Sequence, residues 1–258
     1  MKPMAHLAGY GGRRGAIIPP NEIASLTAWW APDSMVGSPN LTSWTDKSGN
    51  GRTLTPQGSN PGINVGGAPG GVLNAVDIDC KSVSGDERLE TAASPLNLTN
   101  HHTFLVVRID NWAAQNTVGF LFYGDNTGGT SSKVPVGHTG TTGALATGTW
   151  DGGPKEAVWS STVDPAAGSW GLVESFWESG VEIGINVDNG TPVSTAVGTI
   201  TAPYGDIDNF SVSNNGVGNE GFDATWAEII VFAARLTTPQ RPQVIAYLVD
   251  KYGAIGTW

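Results

Sequence analysis

The 258 residues carry 23 acidic and 13 basic side chains, a net charge of −10, with 36 glycines and only 14% charged residues. Many glycines suit tight turns between short strands and exclude a helical bundle, while 39% apolar residues suffice for a packed core and exclude wholesale disorder. The acidic balance repels phosphate backbones, so nucleic acid is excluded as a partner; no window approaches the ~18 apolar residues of a membrane span, and a single cysteine, Cys80, excludes an intrachain disulfide.

Residues 1–20 hold Lys2, Arg13 and Arg14 and no acid, which leaves 10 of the 13 basic residues against all 23 acidic ones in the remainder. The segment is glycine-rich and ends in Pro19-Pro20, an extended arm with no core of its own. It is expected to anchor the domain of residues 21–258 on another polypeptide. The stretch MKPMAHLAGYGGRRG lacks the apolar core of a signal peptide. An adhesive composition without an export signal is the combination expected of a protein assembled inside a cell and released by lysis.

Residues 23–30 (IASLTAWW) predict a first strand, stopped by Pro32 and Asp33, and Asp46–Gly51 has the content of a turn. In residues 72–79, Val72, Val76 and Ile78 alternate with Asp77 and Asp79, which predicts a half-buried strand. Thr103–Asp110 and Val118–Asp125 predict two more strands, and Gly140–Gly153 reads as a glycine- and threonine-rich loop without a clear period. Leu172–Trp177 resumes strand character. A hairpin follows, with Val181, Ile183, Ile185 and Val187 on a buried face and Glu182, Asn186 and Asp188 on a wet one. Asp188-Asn189-Gly190 makes the turn into Thr191–Val197, its Asn-Gly the signal of a type I′ hairpin.

In Thr225–Leu236, Trp226, Ile230 and Phe232 are expected on one face and Ile229, Val231 and Ala233 on the other, both apolar, so the strand is central. Thr238 is expected to cap a closing helix whose stripe is Val244, Ile245, Leu248, Val249 and Tyr252, with Gly253 as its stop and Pro242 delaying its regular start. The sum is an all-β, two-sheet antiparallel sandwich with a short C-terminal helix as a lid.

Several of these residues together resemble a known family. Leu26–Trp30 with Asp33, Ser43–Gly51 (SWTDKSGNG) and Ala75–Ile78 look like the opening of a concanavalin A-like, laminin-G-like jelly roll. Ala227–Phe232, the helix and Lys251-Tyr252-Gly253 are similar to its closing strand and lid. The resemblance implies about a dozen antiparallel strands in two curved sheets, and a face or rim that holds a glycan, sometimes beside calcium. Family members with a short N-terminal arm and no leader resemble bacteriophage virion proteins: capsid decorations, tail or fibre components.

Glycanase relatives carry an E-x-D-x-x-E strand whose alternate carboxylates do the work; it is missing here. Glu174, Glu178 and Glu182 are spaced by four, and solvent-exposed strand acids explain them. His101-His102, adjacent on a strand, face opposite ways and cannot chelate one ion. Calcium would fall to Asp125, Asp206 or Asp208, in Asp/Asn-rich loops that equally make plain turns. Among ten tryptophans, Trp44 and Trp226 are assigned to the core, and Trp112 and Trp150, with Asp151, are nominated for stacking on a sugar.

The expectation is a non-enzymatic protein on the exterior of a bacteriophage virion, with no cofactor beyond that calcium. It would be present in many copies or as a homo-oligomer, anchored by Lys2, Arg13 and Arg14 on capsid or tail subunits, and would bind host-surface carbohydrate. The alternatives are a stand-alone carbohydrate-binding module and a glycan depolymerase using Glu174 and Glu178.

Overall fold

The computed structural model describes residues 17–58, 61–79, 87–91, 96, 98–111, 120–123, 131–139, 144–151, 154–159, 167–198, 210–212, 223–253 and 255. Its strands are β1 (Leu26–Trp30), β2 (Met35–Gly37), β3 (Leu41–Trp44), β4 (Thr55–Gln57), β5 (Gly62–Asn64), β6 (Ala75–Asp79), β7 (Arg88–Thr91), β8 (His101–Asn111) and β9 (Phe120–Tyr123). They continue with β10 (Ser131–Thr139), β11 (Ala144–Asp151), β12 (Pro154–Trp159), β13 (Trp170–Glu178), β14 (Glu182–Val187), β15 (Val193–Ala196), β16 (Phe210–Val212) and β17 (Asp223–Phe232). One helix, α1 (Gln240–Tyr252), follows.

An eight-stranded sheet runs β15-β14-β13-β8-β17-β6-β5, with β1 also on β17, and a seven-stranded sheet runs β12-β11-β10-β9-β16-β7-β4. Every pairing is antiparallel. The protein is a two-sheet antiparallel jelly-roll sandwich closed by one C-terminal helix. Strand β17 is central as expected: β8 lies along one edge, while β6 pairs with its first half and β1 with its second.

Two apolar layers hold this together. Between the sheets lie Trp30, Trp44, Val76, Ile78, Leu105, Val107, Trp226, Ile229 and Val231. On the outer face of the larger sheet, α1 sets Val244, Leu248 and Tyr252 against Trp29, Phe104, Val106, Leu172, Ile230 and Phe232. Trp44 and Trp226 are core residues, both fully buried. Burying an aromatic side chain removes roughly 150–250 Å² from water, worth at most about 4–6 kcal/mol each. The buried indoles also find acceptors: Trp30 Nε1 donates to the Arg52 carbonyl at 2.8 Å, Trp44 Nε1 to the Ala31 carbonyl at 2.7 Å, and Trp177 Nε1 to Thr147 Oγ1 at 2.7 Å.

The SWTDKSGNG stretch is architectural. Asp46 accepts from the backbone N–H of Trp29 (3.0 Å), Ser48 (2.8 Å) and Arg52 (3.1 Å), while Asn50 Nδ2 donates to the Thr27 carbonyl at 2.9 Å. Gly49 and Gly51 take φ of +86° and +72°, a left-handed backbone that side chains disfavour. The acid and the two glycines therefore pin the turn against β1.

Five local expectations are corrected. Val72 precedes β6 and is 83% exposed, so the alternation begins only at Ala75. Residues 144–151 of the expected Gly140–Gly153 loop form β11, paired with β10 and β12, because ladder partners on both sides stabilise a strand whose own sequence lacks a period. In β17 a bulge between Trp226 and Glu228 inserts one residue and inverts parity. Trp226 thus shares the inter-sheet layer with Ile229 and Val231, not the helix layer with Ile230 and Phe232. In the hairpin, Val181 is half exposed while Asn186 is buried, because another layer covers the face expected to be wet. The turn itself falls on the expected Asp188-Asn189-Gly190, with Asp188 (φ 51°) and Asn189 (φ 55°) left-handed and the Gly190 N–H on the Val187 carbonyl. The helix has Pro239 at its N-cap position and no side-chain cap, so Thr238 does not cap it; the contacts that tie its first turn are made by Thr237. Gln240 Oε1 accepts from both the N–H and the hydroxyl of Thr237, and Arg241 N–H returns to the Thr237 carbonyl. At its other end Gly253 (φ 73°) stops the helix, its N–H on the Val249 carbonyl.

Candidate functional site

The outer face of the eight-stranded sheet divides into a covered half and an open half. Under the helix lie two buried carboxylates. Glu228, fully buried where the bulge turns it outward, accepts from Trp29 Nε1 (2.7 Å), Tyr247 Oη (2.9 Å), Tyr252 Oη (2.5 Å) and Lys251 Nζ (2.7 Å). Burial and then the charge of Glu228 hold both tyrosine hydroxyls firmly protonated.

Glu174, on β13, is 1% exposed, which corrects the expectation of a solvent-exposed acid. Arg241 from the helix grips it with Nε on Oε1 and Nη2 on Oε2, both at 2.6 Å. His102 Nε2 (2.7 Å) and Asn186 Nδ2 (3.1 Å) complete its shell. Burial raises its proton affinity, and the hydrogen bonds from His102 and Arg241 outweigh that and bring its pKa to about 2. His102 is held neutral. Burial disfavours its charge, and its Nδ1 accepts the Leu236 N–H at 3.0 Å, which leaves Nε2 to donate to Glu174. As expected, His101 faces the other way, onto Ser175 Oγ at 3.2 Å. Glu178 and Glu182 both pair with Arg235. Of the two acids that a depolymerase would need, Glu174 clamps the lid with every oxygen engaged inside the protein, while Glu178 pairs with Arg235 ahead of the helix.

The open half is polar. In one row across three strands, Asp77 on β6, Thr225 on β17 and Arg108 on β8 are register partners. Thr225 Oγ1 lies 3.1 Å from Asp77 Oδ1, 2.9 Å from Asp110 Oδ2 and 2.9 Å from Arg108 Nη2. Arg108 Nε pairs with Asp110 Oδ1 at 2.7 Å, and its guanidinium lies 5.7 Å from the centre of the half-buried Trp170 ring. Asp79, Asp223 and Glu87 border this row, the Glu87 carboxylate accepting the Asp79 N–H at 2.5 Å. Burial, then the neighbouring acids, raise the proton affinity of Asp77 and Asp79; burial raises that of Glu87 as well. An aromatic ring beside a guanidinium and carboxylates is chemistry that suits a sugar. Sequence reading passed over Trp170, Arg108 and Thr225; the shared parity of Arg108 with Asp110 and of Asp77 with Asp79 was the available signal. Among the described residues no group of three or more His, Cys, Asp or Glu is arranged to hold a metal ion, and no helix is long and apolar enough to cross a membrane.

The nominated residues fall elsewhere. Trp150 and Asp151 end β11, where their register partners are Ser132 and Ser131 on β10. Chain direction sets this end opposite the Asp223 rim: β8 runs up to Asn111 beside Asp223, β10 runs the same way, and β11 runs back down. Trp112 follows Asn111 in sequence, so the strand ends leading to Trp112 and to Trp150 lie at opposite ends of the sandwich. Trp112 itself, Asp125, Asp206, Asp208, Lys2, Arg13 and Arg14 lie outside the described residues, as do the side chains of Trp150 and Asp151.

No protein-family model matches the chain, and no curated protein matches it. Solved structures do. Domain 4 of AbnA, an extracellular GH43 arabinanase from Geobacillus stearothermophilus, solved in complex with arabinotriose, superposes with a TM-score of 0.59 at 18% identity over 86% of this chain and 98% of that one. A botulinum neurotoxin type C structure, described as interacting with two ganglioside molecules, gives 0.60 at 11% identity over 88% of this chain. A botulinum neurotoxin DC binding domain in complex with rat synaptotagmin II gives 0.58 at 11% identity over 90%. The chain spans about half the length of these toxin domains, 51% and 52%. At such identities the likeness is one of fold.

Proposed function

We propose that this chain is a non-enzymatic recognition protein on the exterior of a bacteriophage virion. Its jelly roll binds host-surface carbohydrate through Trp112 or Trp150 with Asp151, and residues 1–20 anchor it on capsid or tail subunits through Lys2, Arg13 and Arg14. One observation carries the sugar reading: the sandwich as a whole, rather than a fragment of it, matches a domain solved with a bound oligosaccharide, covering 98% of that domain. The non-enzymatic part rests on Glu174, whose oxygens are fully engaged by Arg241, His102 and Asn186. The virion part rests on the charge contrast between the basic arm and the acidic body.

The test is retention of purified protein on a panel of bacterial surface polysaccharides and arabino-oligosaccharides. Wild type is expected to bind at least one of them. Trp150→Ala or Trp112→Ala is expected to lose that binding at least about tenfold with an unchanged melting temperature, the loss of one stacking contact. Failure of the wild type to bind any of them overturns the sugar reading. Unchanged incorporation into particles after deletion of residues 1–20 overturns the anchoring. A stand-alone carbohydrate-binding module is the second reading, favoured by the likeness to a single domain of an extracellular enzyme.

A further inference from the structure

Thr225 is completely buried, beyond reach of bulk solvent, and three polar atoms crowd its hydroxyl: Asp77 Oδ1 at 3.1 Å, Asp110 Oδ2 at 2.9 Å and Arg108 Nη2 at 2.9 Å. A hydroxyl has one hydrogen to give and two lone pairs to receive. Arg108 can only donate, so it occupies one lone pair. The single hydrogen satisfies one carboxylate. The other carboxylate then faces a lone pair at hydrogen-bond distance, an arrangement that is repulsive unless that carboxylate carries a proton of its own.

The geometry says which one does. Asp110 is the ion-pair partner of Arg108, with Oδ1 on Nε at 2.7 Å and Oδ2 near Nη2 at 3.4 Å, so it remains the acceptor. Asp77 has no cation of its own among the described contacts. The charged groups around it are Asp79 on its own strand, Asp223 on β17, Glu87 ahead of β7, and Asp110 with Arg108 on β8; the facing residue on β5, Gly62, brings no charge. Four acids thus surround Asp77 against one arginine.

We infer that Asp77 is a protonated carboxyl that donates to Thr225, which donates in turn to Asp110, so that a single exchangeable proton clasps β6, β17 and β8 together two rungs from their rim. In this chain of bonds every atom of Thr225 Oγ1 is satisfied: Asp77 and Arg108 fill its lone pairs, and its hydrogen goes to Asp110. Loss of the proton deletes the Asp77 bond and adds a negative charge beside Asp110, Asp79 and Asp223. The rim formed by Asp79, Asn111 and Asp223 is therefore tight in acid and loosens toward alkaline pH. Burial and the neighbouring acids raise the proton affinity of Asp77 in the folded state, so the clasp's contribution is complete below the unfolded value and is lost as pH rises through the folded one.

The experiment compares wild type with Asp77→Asn, whose amide N–H stands permanently where the carboxyl needs a proton. At mildly alkaline pH the variant is expected to melt about 2–4 °C above wild type, and the difference is expected to vanish in mild acid. A variant that is less stable than wild type by the same amount at every pH overturns the inference, since Asp77 would then be a plain acceptor. Stabilisation of wild type by millimolar calcium at alkaline pH, abolished by the substitution, also overturns it, since a cation would then stand where the proton is placed. Carboxyl-carbon NMR of the wild-type protein gives a direct reading: an Asp77 resonance in the neutral-acid position at a pH where exposed aspartates are ionised supports the clasp, and an ionised position there refutes it.

Discussion

Removing Arg241 isolates the electrostatics of the lid. Its guanidinium is the only cation on Glu174 among the described contacts, because His102 is neutral. A carboxyl whose pKa falls from 4.5 to about 2 stabilises the ionised folded state by roughly 3 kcal/mol. Loss of one partner of a buried ion pair typically costs about 3–5 kcal/mol. His102 still donates to Glu174 in the variant and keeps part of that shift, so Arg241→Ala is expected to destabilise the protein by about 2–3 kcal/mol at neutral pH, read from urea unfolding followed by tryptophan fluorescence. The sign with pH follows from the lowered value: the contribution is present above 4.5 and drains away as pH falls toward about 2. The gap between variant and wild type should close over that same interval, because Glu174 takes up a proton in both. A deficit that stays constant from neutral pH down to about 2 would refute the electrostatic account and leave only lost packing of the arginine stem.

Two further substitutions probe the scaffold. A methyl group at Gly184 would sit 2.3 Å from Cζ of the buried Phe176 ring, so Gly184→Ala is expected to lower stability by about 1–3 kcal/mol in chemical denaturation. Asp46→Ala strips the acceptor from the Trp29, Ser48 and Arg52 N–H groups and is expected to cost about 2–3 kcal/mol, with faster amide exchange at Trp29 as its local signature.

Sequence reading reached the elements whose apolar pattern is long and decided by one layer. It found β1, β8, β13, β17 and the helix, and put Trp44 and Trp226 in the core. It failed where a second layer or a ladder partner decides the outcome. Glu174 and Asn186 alternate like wet-face residues, yet a helix some 60 positions later covers them, and nothing local announces that. One inserted residue at Ala227 reversed the faces of half a strand, and no periodicity count registers a bulge before the ladder is known. Strand β11 has too many glycines and threonines to show a period and exists because β10 and β12 flank it. The polar row at Asp77, Thr225 and Arg108 was equally hidden: its members are up to 148 positions apart and meet only through register.

Ile18 and Ile23 rest on the helix side of the larger sheet, ahead of β1, and Pro20 between them is buried. The chain therefore enters β1 from the lid side of the larger sheet. Lead-in and lid thus share one apolar layer, so that a substitution loosening either end of the chain slackens the other.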